Sequence, residues 1–98
     1  MKRGLQGRNM NVDDVIREAA ALCRRFHAKK VILYGSRAKG TAQERSDIDI
    51  AVTGVTDFER LLEEVDGMPT LYRVDVLNLD ACRNELLLED IKEYGQEI

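Results

Sequence analysis

Residues 31–52 read VILYGSRAKGTAQERSDIDIAV and set the architecture of the chain. The first four residues are aliphatic or aromatic, and Gly35 follows them directly, which is typical of a buried strand that ends in a tight turn. Ser36 then opens a short polar segment that we predict to be helical, where its hydroxyl can cap free backbone N–H groups. The stretch therefore predicts a strand, a turn and a helix start in immediate succession.

The turn at Gly35 and Ser36 is a candidate phosphate site. Free N–H groups at the start of a helix, together with the helix dipole, favour an anion. Arg37 and Lys39 add positive charge beside the same point. We predict that these four residues contact the phosphates of a nucleotide, and ordinary surface charge remains the alternative for the two cations.

Residues 46–52 read SDIDIAV and carry two acids separated by one apolar residue. In a strand, Asp47 and Asp49 share one face while Ile48 and Ile50 share the other. The Cα atoms of the two acids would then lie roughly 6.5 to 7 Å apart. The apolar face is expected to pack inward, which leaves two carboxylates free to hold divalent cations.

A third acid lies on a second alternating segment, residues 72–79, which read YRVDVLNL. If this strand pairs with the first, at a spacing of about 4.8 Å, Asp75 joins Asp47 and Asp49. Three carboxylates on one side of adjacent strands repel each other unless cations lie among them. Magnesium prefers oxygen ligands and usually shares them with substrate phosphates, so we predict two Mg²⁺ ions and a nucleoside triphosphate here.

Taken together, Gly35-Ser36, ten further residues, Asp47-x-Asp49 and a later Asp75 resemble the nucleotidyltransferase superfamily with a DNA polymerase beta-like fold. From about Asn11 onward the chain resembles the minimal, single-domain branch of that superfamily. The resemblance implies that the Gly-Ser turn holds the triphosphate and that the three acids bind the two magnesium ions, the third also helping to activate the attacking hydroxyl. Lys39 stands where the family often has Arg, which keeps the charge but loses bidentate geometry.

The resemblance also implies a biological setting. Many members of the minimal branch are antitoxins paired with a helical toxin of the HEPN class, and some of them attach AMP to that toxin. The function implied is magnesium-dependent transfer of a nucleotide, AMP from ATP in the first instance, to a hydroxyl on a partner protein. Two alternatives stay open: a non-catalytic antitoxin or adaptor that neutralises its partner by binding, and nucleotidyl transfer to a small molecule.

Composition restricts the classes of partner and compartment. The chain has 98 residues, a formal charge of −3, and 15 Lys and Arg spread among 18 Asp and Glu, which argues against nucleic acid as the main partner. Two cysteines and the lack of a long apolar segment predict a cytoplasmic protein with no disulfide and no membrane span. A chain this small lacks a separate substrate domain, so a macromolecular acceptor is favoured.

The fold predicted is α/β, with a small mixed sheet and helices packed mainly on one face. Residues 1–10 are basic and aperiodic and are predicted to be a flexible tail, and 11–98 a single nucleotidyltransferase domain. Capping patterns predict one helix from Asn11, a second capped by Thr56 with Glu59, and a last one capped by Asp80. The apolar face of the first helix is predicted from the spacing of Val15, Ile16, Ala19, Leu22, Cys23 and Phe26.

The last helix carries three consecutive leucines, residues 86–88. They sweep about 200° around a helix, whereas roughly 100° is enough to face the core of the same domain. We expect Leu86 or Leu88 to contribute to a protein interface, either between copies of this chain or with a helical partner, and cover by a loop or by the tail is the alternative. The directions of Arg45 and Arg73 cannot be predicted from the sequence.

Overall fold

The computed structural model describes residues 11–98, so the predicted tail at 1–10 lies outside the described residues. The described elements, in chain order, are α1 (Val12–Arg25), β1 (Lys30–Tyr34), α2 (Ser36–Lys39), β2 (Ile48–Thr53), α3 (Phe58–Asp66), β3 (Val74–Asn78), a 3₁₀ turn (Leu79–Ala81), α4 (Glu85–Tyr94) and β4 (Gln96–Glu97). The longest of these helices is α1, with 14 residues. None of the helices in 11–98 is both long and apolar enough to cross a membrane.

Helix α1 begins where the sequence predicted. The backbone N–H of Asp14 donates to the Asn11 side chain at 2.9 Å, and the Asn11 N–H donates back to the Asp14 carboxylate at 3.4 Å. This reciprocal capping box satisfies two N–H groups that have no partner inside the helix. The buried residues of α1 are Val15, Ala19, Ala20, Leu22 and Cys23. The predicted apolar face is therefore the one that packs inward.

The four strands form one mixed sheet in the order β3-β2-β1-β4. β1 runs antiparallel to β2 and to β4, whereas β2 and β3 run parallel. A parallel pair needs a crossover connection, and α3 provides it between β2 and β3. The mixed sheet predicted from the two acidic strands is confirmed, with β3 at one edge.

The main core lies between one face of the sheet and helices α1 and α3. Val31 and Leu33 of β1, together with Ile48 and Ile50 of β2, are buried against these helices. Helix α4 covers the opposite face. Ile91 is buried outside the main core cluster, and a Cβ at Gly95, just after α4, would lie 2.7 Å from Ile32 Cγ2. Ile32 alternates with Val31 and Leu33, so it points to the second face.

The predicted cap of α3 is wrong. Asp57 caps this helix, and its carboxylate accepts from the backbone N–H of Arg60 at 3.3 Å. Thr56 is engaged elsewhere, because its backbone N–H donates to the carbonyl of Phe26 at 3.0 Å. The residue after Thr56 is thus left as the helix cap, in a left-handed conformation with φ 53°.

The predicted cap of α4 is also wrong. Asn84 caps the helix and accepts from the backbone N–H of Leu87 at 3.1 Å. Asp80 belongs to the 3₁₀ turn, and its carboxylate accepts from the Gly54 N–H at 2.7 Å. Asp80 therefore ties the end of β3 to the end of β2 instead of starting a helix.

No pattern in the sequence indicates β4. Gln96 and Glu97 pair with Leu33 and Ile32 of β1, and the Ile98 N–H donates to the Val31 carbonyl at 2.8 Å. Two residues are too few to show the alternation by which a strand is predicted. The short strand covers the edge of β1 and leaves β3 as the longer open edge of the described sheet.

Candidate active site

The predicted site lies at one end of the sheet, where β1 ends and β2 and β3 begin. Tyr34, the last residue of β1, pairs with Asp49 of β2, and Asp49 pairs with Asp75 of β3. Side chains of directly paired residues project from the same face of a sheet. Tyr34, Asp49 and Asp75 therefore line one face, on three neighbouring strands. The structure brings Asp49 and Asp75 together as predicted.

Gly35 holds the turn directly against the Asp49 carboxylate. Its φ is +75°, in the region that favours glycine, and a Cβ built on it would lie 2.5 Å from Asp49 Oδ2. No real Cβ tolerates such a separation, so a larger residue would displace the carboxylate or the turn. Glycine is thus required here both for the backbone conformation and for space.

Ser36 lies inside α2, so the predicted capping role of its hydroxyl is wrong. Gly35 is the N-cap and makes no side-chain capping bond, while its carbonyl accepts from the N–H groups of Ala38 and Lys39, both at 3.1 Å. The N–H groups of Ser36 and Arg37 come before the first intrahelical bond, as in the first turn of any helix. They begin the helix beside the Asp49 carboxylate.

The site concentrates negative charge. Burial raises the pKa of Asp49 above its ordinary value, and the charges of Asp75 and then Asp47 raise it further. Burial likewise raises the pKa of the Tyr34 phenol to about 12, with contributions from Asp49, Asp75 and Cys82. The sequence predicts no role in the site for Tyr34, whose only signal is its position directly before the Gly-Ser turn. A cation among these groups would relieve the repulsion.

Asp47 lies just before β2 and is exposed. Within residues 11–98, no three His, Cys, Asp or Glu side chains lie close enough together to form a ready metal site. Two of the three acids, Asp49 and Asp75, are therefore directly paired on neighbouring strands, whereas Asp47 lies just before β2. Mg²⁺ is commonly held by one or two carboxylates plus substrate phosphates, so this oxygen-only pair fits an ion that arrives with a nucleotide.

The two cations predicted to contact phosphate have protein partners. Arg37 Nη2 donates to backbone carbonyls of the loop before β2, and its guanidinium lies 5.4 Å from the centre of the Tyr72 ring. Lys39 Nζ lies 2.8 Å from Asp90 Oδ1 and 5.2 Å from the centre of the Tyr94 ring, both on α4. These contacts engage both cations within the protein, and their contact with the phosphates stays a prediction.

The two remaining arginines differ in their placement. Arg73 Nε donates to Asp75 Oδ1 at 3.3 Å, with both side chains largely exposed. An exposed pair of this kind contributes little to stability, so the contact is easily exchanged for another partner of Asp75. Arg45 is exposed on the loop before β2. Neither direction could be predicted, because long side chains carry no signal of direction in the sequence.

A cavity of about 480 Å³ adjoins Asp75 on the outer side of β3. Its lining includes Val65, Met68, Thr70, Tyr72, Arg73 and Asp75. It therefore extends from the end of α3, along the edge strand, to the third acid of the site. The sequence could not have revealed it, because it depends on how the segment between α3 and β3 folds.

Comparison with known proteins identifies the family of this fold. Residues 18–98 match the family model described as polymerase beta, nucleotidyltransferase. The chain belongs to the polymerase beta nucleotidyltransferase family. The resemblance predicted from Gly35-Ser36, Asp47-x-Asp49 and Asp75 is therefore confirmed at the level of family and fold. The individual metal-binding, catalytic and nucleotide-binding roles of these residues stay predictions.

Three relatives show the range of this nucleotidyltransferase family. A protein of Methanocaldococcus jannaschii, provisionally named protein adenylyltransferase MJ0604, is 39% identical over an alignment of 85 residues that covers 84% of this chain and 84% of that protein. A provisionally described minimal nucleotidyltransferase structure is 28% identical with a TM-score of 0.64, covering 92% of this chain and 96% of that one. A toxin-antitoxin crystal structure with AMP-PNP is 22% identical with a TM-score of 0.62, covering 84% and 70%, and shows the shared fold alone.

Proposed function

We propose that this nucleotidyltransferase transfers AMP from ATP to a hydroxyl of a partner protein in a magnesium-dependent reaction. The observation that carries the proposal is the pairing of Asp49 with Asp75, next to a glycine turn whose backbone touches the Asp49 carboxylate. Two carboxylates beside free helix N–H groups suit a metal-bound triphosphate. The proposed catalytic residues are Asp47, Asp49 and Asp75, and the proposed phosphate contacts are Gly35 and Ser36.

The order of the strands supports a placement of the two substrates along the sheet. The turn follows β1, Asp49 lies on β2 and Asp75 on β3, so the site extends across two strand spacings, roughly 10 Å. The β- and γ-phosphates would lie at Ser36, the α-phosphorus near Asp49, and the acceptor hydroxyl near Asp75. A bond forms between the acceptor oxygen and the α-phosphorus while the bond to pyrophosphate breaks.

The residues divide the work of that step. Asp75 orients the acceptor hydroxyl and takes its proton, and Asp49, together with Asp47, would hold the magnesium ion that arrives with the triphosphate. The N–H groups at the start of α2 bind the departing pyrophosphate. Magnesium, when bound, neutralises the phosphate charge and lowers the pKa of the hydroxyl.

A protein is the acceptor that the surroundings of Asp75 favour. The cavity beside Asp75 has room for a side chain delivered from outside the sheet, and it opens along an edge strand instead of into a closed small-molecule pocket. The M. jannaschii relative is named as a protein adenylyltransferase, and a structural neighbour is a toxin-antitoxin with AMP-PNP. The second name supports a toxin as the partner; that this toxin is a small helical HEPN-type protein is what the family resemblance implies, and a homo-oligomer is the alternative.

The cytoplasm is the proposed compartment. Cys23 and Cys82 are both free thiols, and burial raises the pKa of the Cys23 thiol to about 11, so it is protonated at neutral pH. Free cysteines are usual where the cell keeps thiols reduced. ATP and magnesium are available in the same compartment.

Label transfer tests the proposed reaction. The chain is co-expressed with a small helical HEPN-type toxin as the candidate partner, purified, and incubated with magnesium and ATP labelled at the α-phosphate. Wild type should pass the label to the partner, whereas Asp47→Asn and Asp75→Asn should not. Label at the γ-phosphate should stay in solution in every case. Equal transfer of α-label by wild type and both variants would end the proposal.

A binding antitoxin is the second candidate, favoured by one observation on α4. Leu86 is 82% exposed at the start of this helix, as expected for an interface residue. In this role the chain neutralises its partner by covering it, and Asp→Asn changes leave neutralisation intact. Polar substitution of Leu86 and Leu88 together should then abolish partner binding, and an unchanged complex would exclude this interface.

A matched pair of exposed leucines separates the two candidates. Leu71 is 95% exposed and lies between Thr70 and Tyr72 of the cavity lining, whereas Leu86 is on α4. We expect Leu71→Glu to raise the KM for the partner about tenfold, the loss of one apolar contact worth about 1.4 kcal/mol, with the KM for ATP unchanged. Leu86→Glu is the matched control in steady-state transfer assays. A larger effect at Leu86 would place the partner on α4 instead.

A further inference from the structure

Arg37 makes hydrogen bonds to the loop that leads into β2. It lies in α2, immediately after the Gly35-Ser36 turn, and its Nη2 is within hydrogen-bonding distance of three backbone carbonyls. These belong to Gln43 at 3.4 Å, Glu44 at 3.2 Å and Ser46 at 2.8 Å. Ser46 directly precedes Asp47, so the strongest of these contacts lies one residue from the first acid of the site.

The guanidinium of Arg37 is enclosed on its other side. Its carbon lies 5.4 Å from the centre of the Tyr72 ring, within the range of a cation–π contact. Its Nε–H is buried and has no hydrogen-bond partner among the described residues. A buried N–H without a partner is unfavourable, so the other contacts must hold the group in place. The Nη2 group and one face of the guanidinium are therefore engaged within the protein.

The loop that Arg37 contacts has a defined shape of its own. The Gln43 N–H donates to the Ser46 hydroxyl at 2.8 Å, and the Ser46 N–H donates to the Gln43 carbonyl at 3.1 Å. The next strand bond is from the Ile48 N–H to the Arg73 carbonyl at 2.9 Å. Arg37 therefore contacts a compact, hydrogen-bonded turn that directly precedes β2.

We propose that Arg37 is a positioning residue that fixes the turn at residues 43–46 and so determines where Asp47 stands relative to Asp49 and the Gly-Ser turn. One side chain links the three segments that carry the site: α2, the entry of β2, and Tyr72 before β3. Lysine cannot replace it, because a single ammonium on a flexible stem lacks the planar group that stacks on Tyr72 while reaching several carbonyls. The consequence for metal binding rests on the proposed function, whereas the effect on the loop does not.

Hydrogen exchange of the protein without metal or nucleotide tests the effect on the loop. Arg37→Lys should speed exchange of the amides of Gln43, Ser46 and Ile48 at least about tenfold, as expected when their hydrogen-bonded turn opens more often. Amides of α1 should exchange at the wild-type rate, which shows that the domain remains folded. Arg60→Lys, at an exposed position of α3, is the matched control and should change none of these exchange rates. Unchanged exchange in Arg37→Lys would overturn the proposal.

Tyr72→Leu provides a second variant that leaves Arg37 in place. Removal of the ring face should speed exchange of the same amides, by less than Arg37→Lys does. If Arg37→Lys failed to fold, a wild-type exchange pattern in Tyr72→Leu would by itself contradict the enclosure on which the proposal depends.

Manganese binding tests whether the loop acts through Asp47. The affinity of Mn²⁺ with a non-hydrolysable ATP analogue is measured by electron paramagnetic resonance for Arg37→Lys, Asp47→Asn and the double variant. Arg37→Lys should weaken binding several-fold, and the double variant should bind within about twofold of Asp47→Asn alone, since coupled residues are non-additive. Additive losses would mean that Arg37 contacts the nucleotide directly, against the proposal. A wild type that binds no Mn²⁺ would count against the proposed function, while the exchange result would still decide the role of Arg37.

Discussion

Replacement of Asp49 with Asn should abolish nucleotidyl transfer and, at neutral pH, make the protein harder to unfold. Asp49 lies between Asp75 and the Gly35 turn, so its charge is where the metal-bound α-phosphate is proposed to lie. Loss of that charge should lower transfer at least about 10³-fold, at the upper end of the cost of removing one electrostatic group from a site. Label transfer to the co-expressed partner measures this loss.

The gain in stability follows from the direction of the pKa shift. Burial, then Asp75 and Asp47, raise the pKa of Asp49 in the folded protein, so the folded state binds the proton more tightly than the unfolded chain does. The stability that this contributes is fully present below the unfolded pKa and is lost as the pH rises through the folded pKa. At neutral pH the ionised carboxylate therefore opposes folding, and a neutral amide of the same shape removes that opposition.

Thermal unfolding as a function of pH measures this gain. Asp49→Asn should raise the Tm by roughly 2 to 5 °C at pH 7, and the difference should shrink in acid as the wild-type carboxyl becomes protonated. Glu63→Gln, on the exposed surface of α3, is the control for loss of a carboxylate and should leave the Tm nearly unchanged. An Asp49→Asn protein with a lower Tm at pH 7, or with residual transfer near that of wild type, would contradict the placement of this carboxylate.

Replacement of Gly35 with Ala should have the second large effect. The backbone at φ +75° disfavours any Cβ, and this one would also lie 2.5 Å from Asp49 Oδ2. We expect a loss of at least about 2 kcal/mol in the free energy of unfolding, from a backbone conformation (φ 75°, ψ −154°) that only glycine readily adopts and from the displaced carboxylate together. Nucleotide binding should be lost as well, since the turn and Asp49 cannot keep their present separation. Denaturant unfolding and nucleotide titration measure the two effects.

Gly40 provides the matched control within the same short helix. Its φ is +79°, and nothing lies within 4 Å of a Cβ built on it. Gly40→Ala should thus lose only about 1 to 2 kcal/mol, the cost of the backbone conformation alone. In an Asp49→Ala background the carboxylate is absent, so Gly35→Ala should cost less than it does in the wild-type protein, where the added Cβ meets Asp49 Oδ2. An equal cost of Gly35→Ala with and without the Asp49 carboxylate would show that the two groups do not touch.

The parts of the site that follow from strand alternation could be predicted from the sequence. Side chains alternate between the two faces of a strand, so Asp49 points away from the face of its apolar neighbours on β2. The same alternation on β3 separates Asp75 from its apolar neighbours. Burial of the apolar neighbours then forces both acids to the other face, whichever strands pair. The turn between β1 and α2 could be predicted because Gly35 readily adopts the positive φ that such a sharp turn requires.

The parts that depend on long side chains and on local competition could not be predicted. Arg37 and Lys39 are adjacent to the turn in sequence, but their long side chains can point in many directions. Arg37 contacts loop carbonyls, whereas Lys39 contacts Asp90 on α4. Carbonyl acceptors leave no signal in residue identity. The caps at Thr56 and Asp80 failed for a related reason, since Asp57 and Asn84 were equally suitable and the backbone contacts of the folded chain decided between them.

Asp47 shows where alternation alone is insufficient. The period-two pattern places it on the acidic face with Asp49, but it precedes the first paired residue of β2 and is exposed. At that position its direction depends on the loop, and through the loop on Arg37. The sequence thus predicts which three acids belong together and not how closely they approach.

A crystal structure with magnesium and a non-hydrolysable ATP analogue tests most directly whether these residues form a nucleotidyl-transfer site. We expect metal density between the carboxylates of Asp49 and Asp75, the α-phosphate beside it, and the terminal phosphates on the N–H groups at Ser36. Asp47 should turn toward the same metal. A nucleotide bound elsewhere, or carboxylates of Asp49 and Asp75 that contact neither metal nor phosphate at saturating concentrations, would contradict the proposed site.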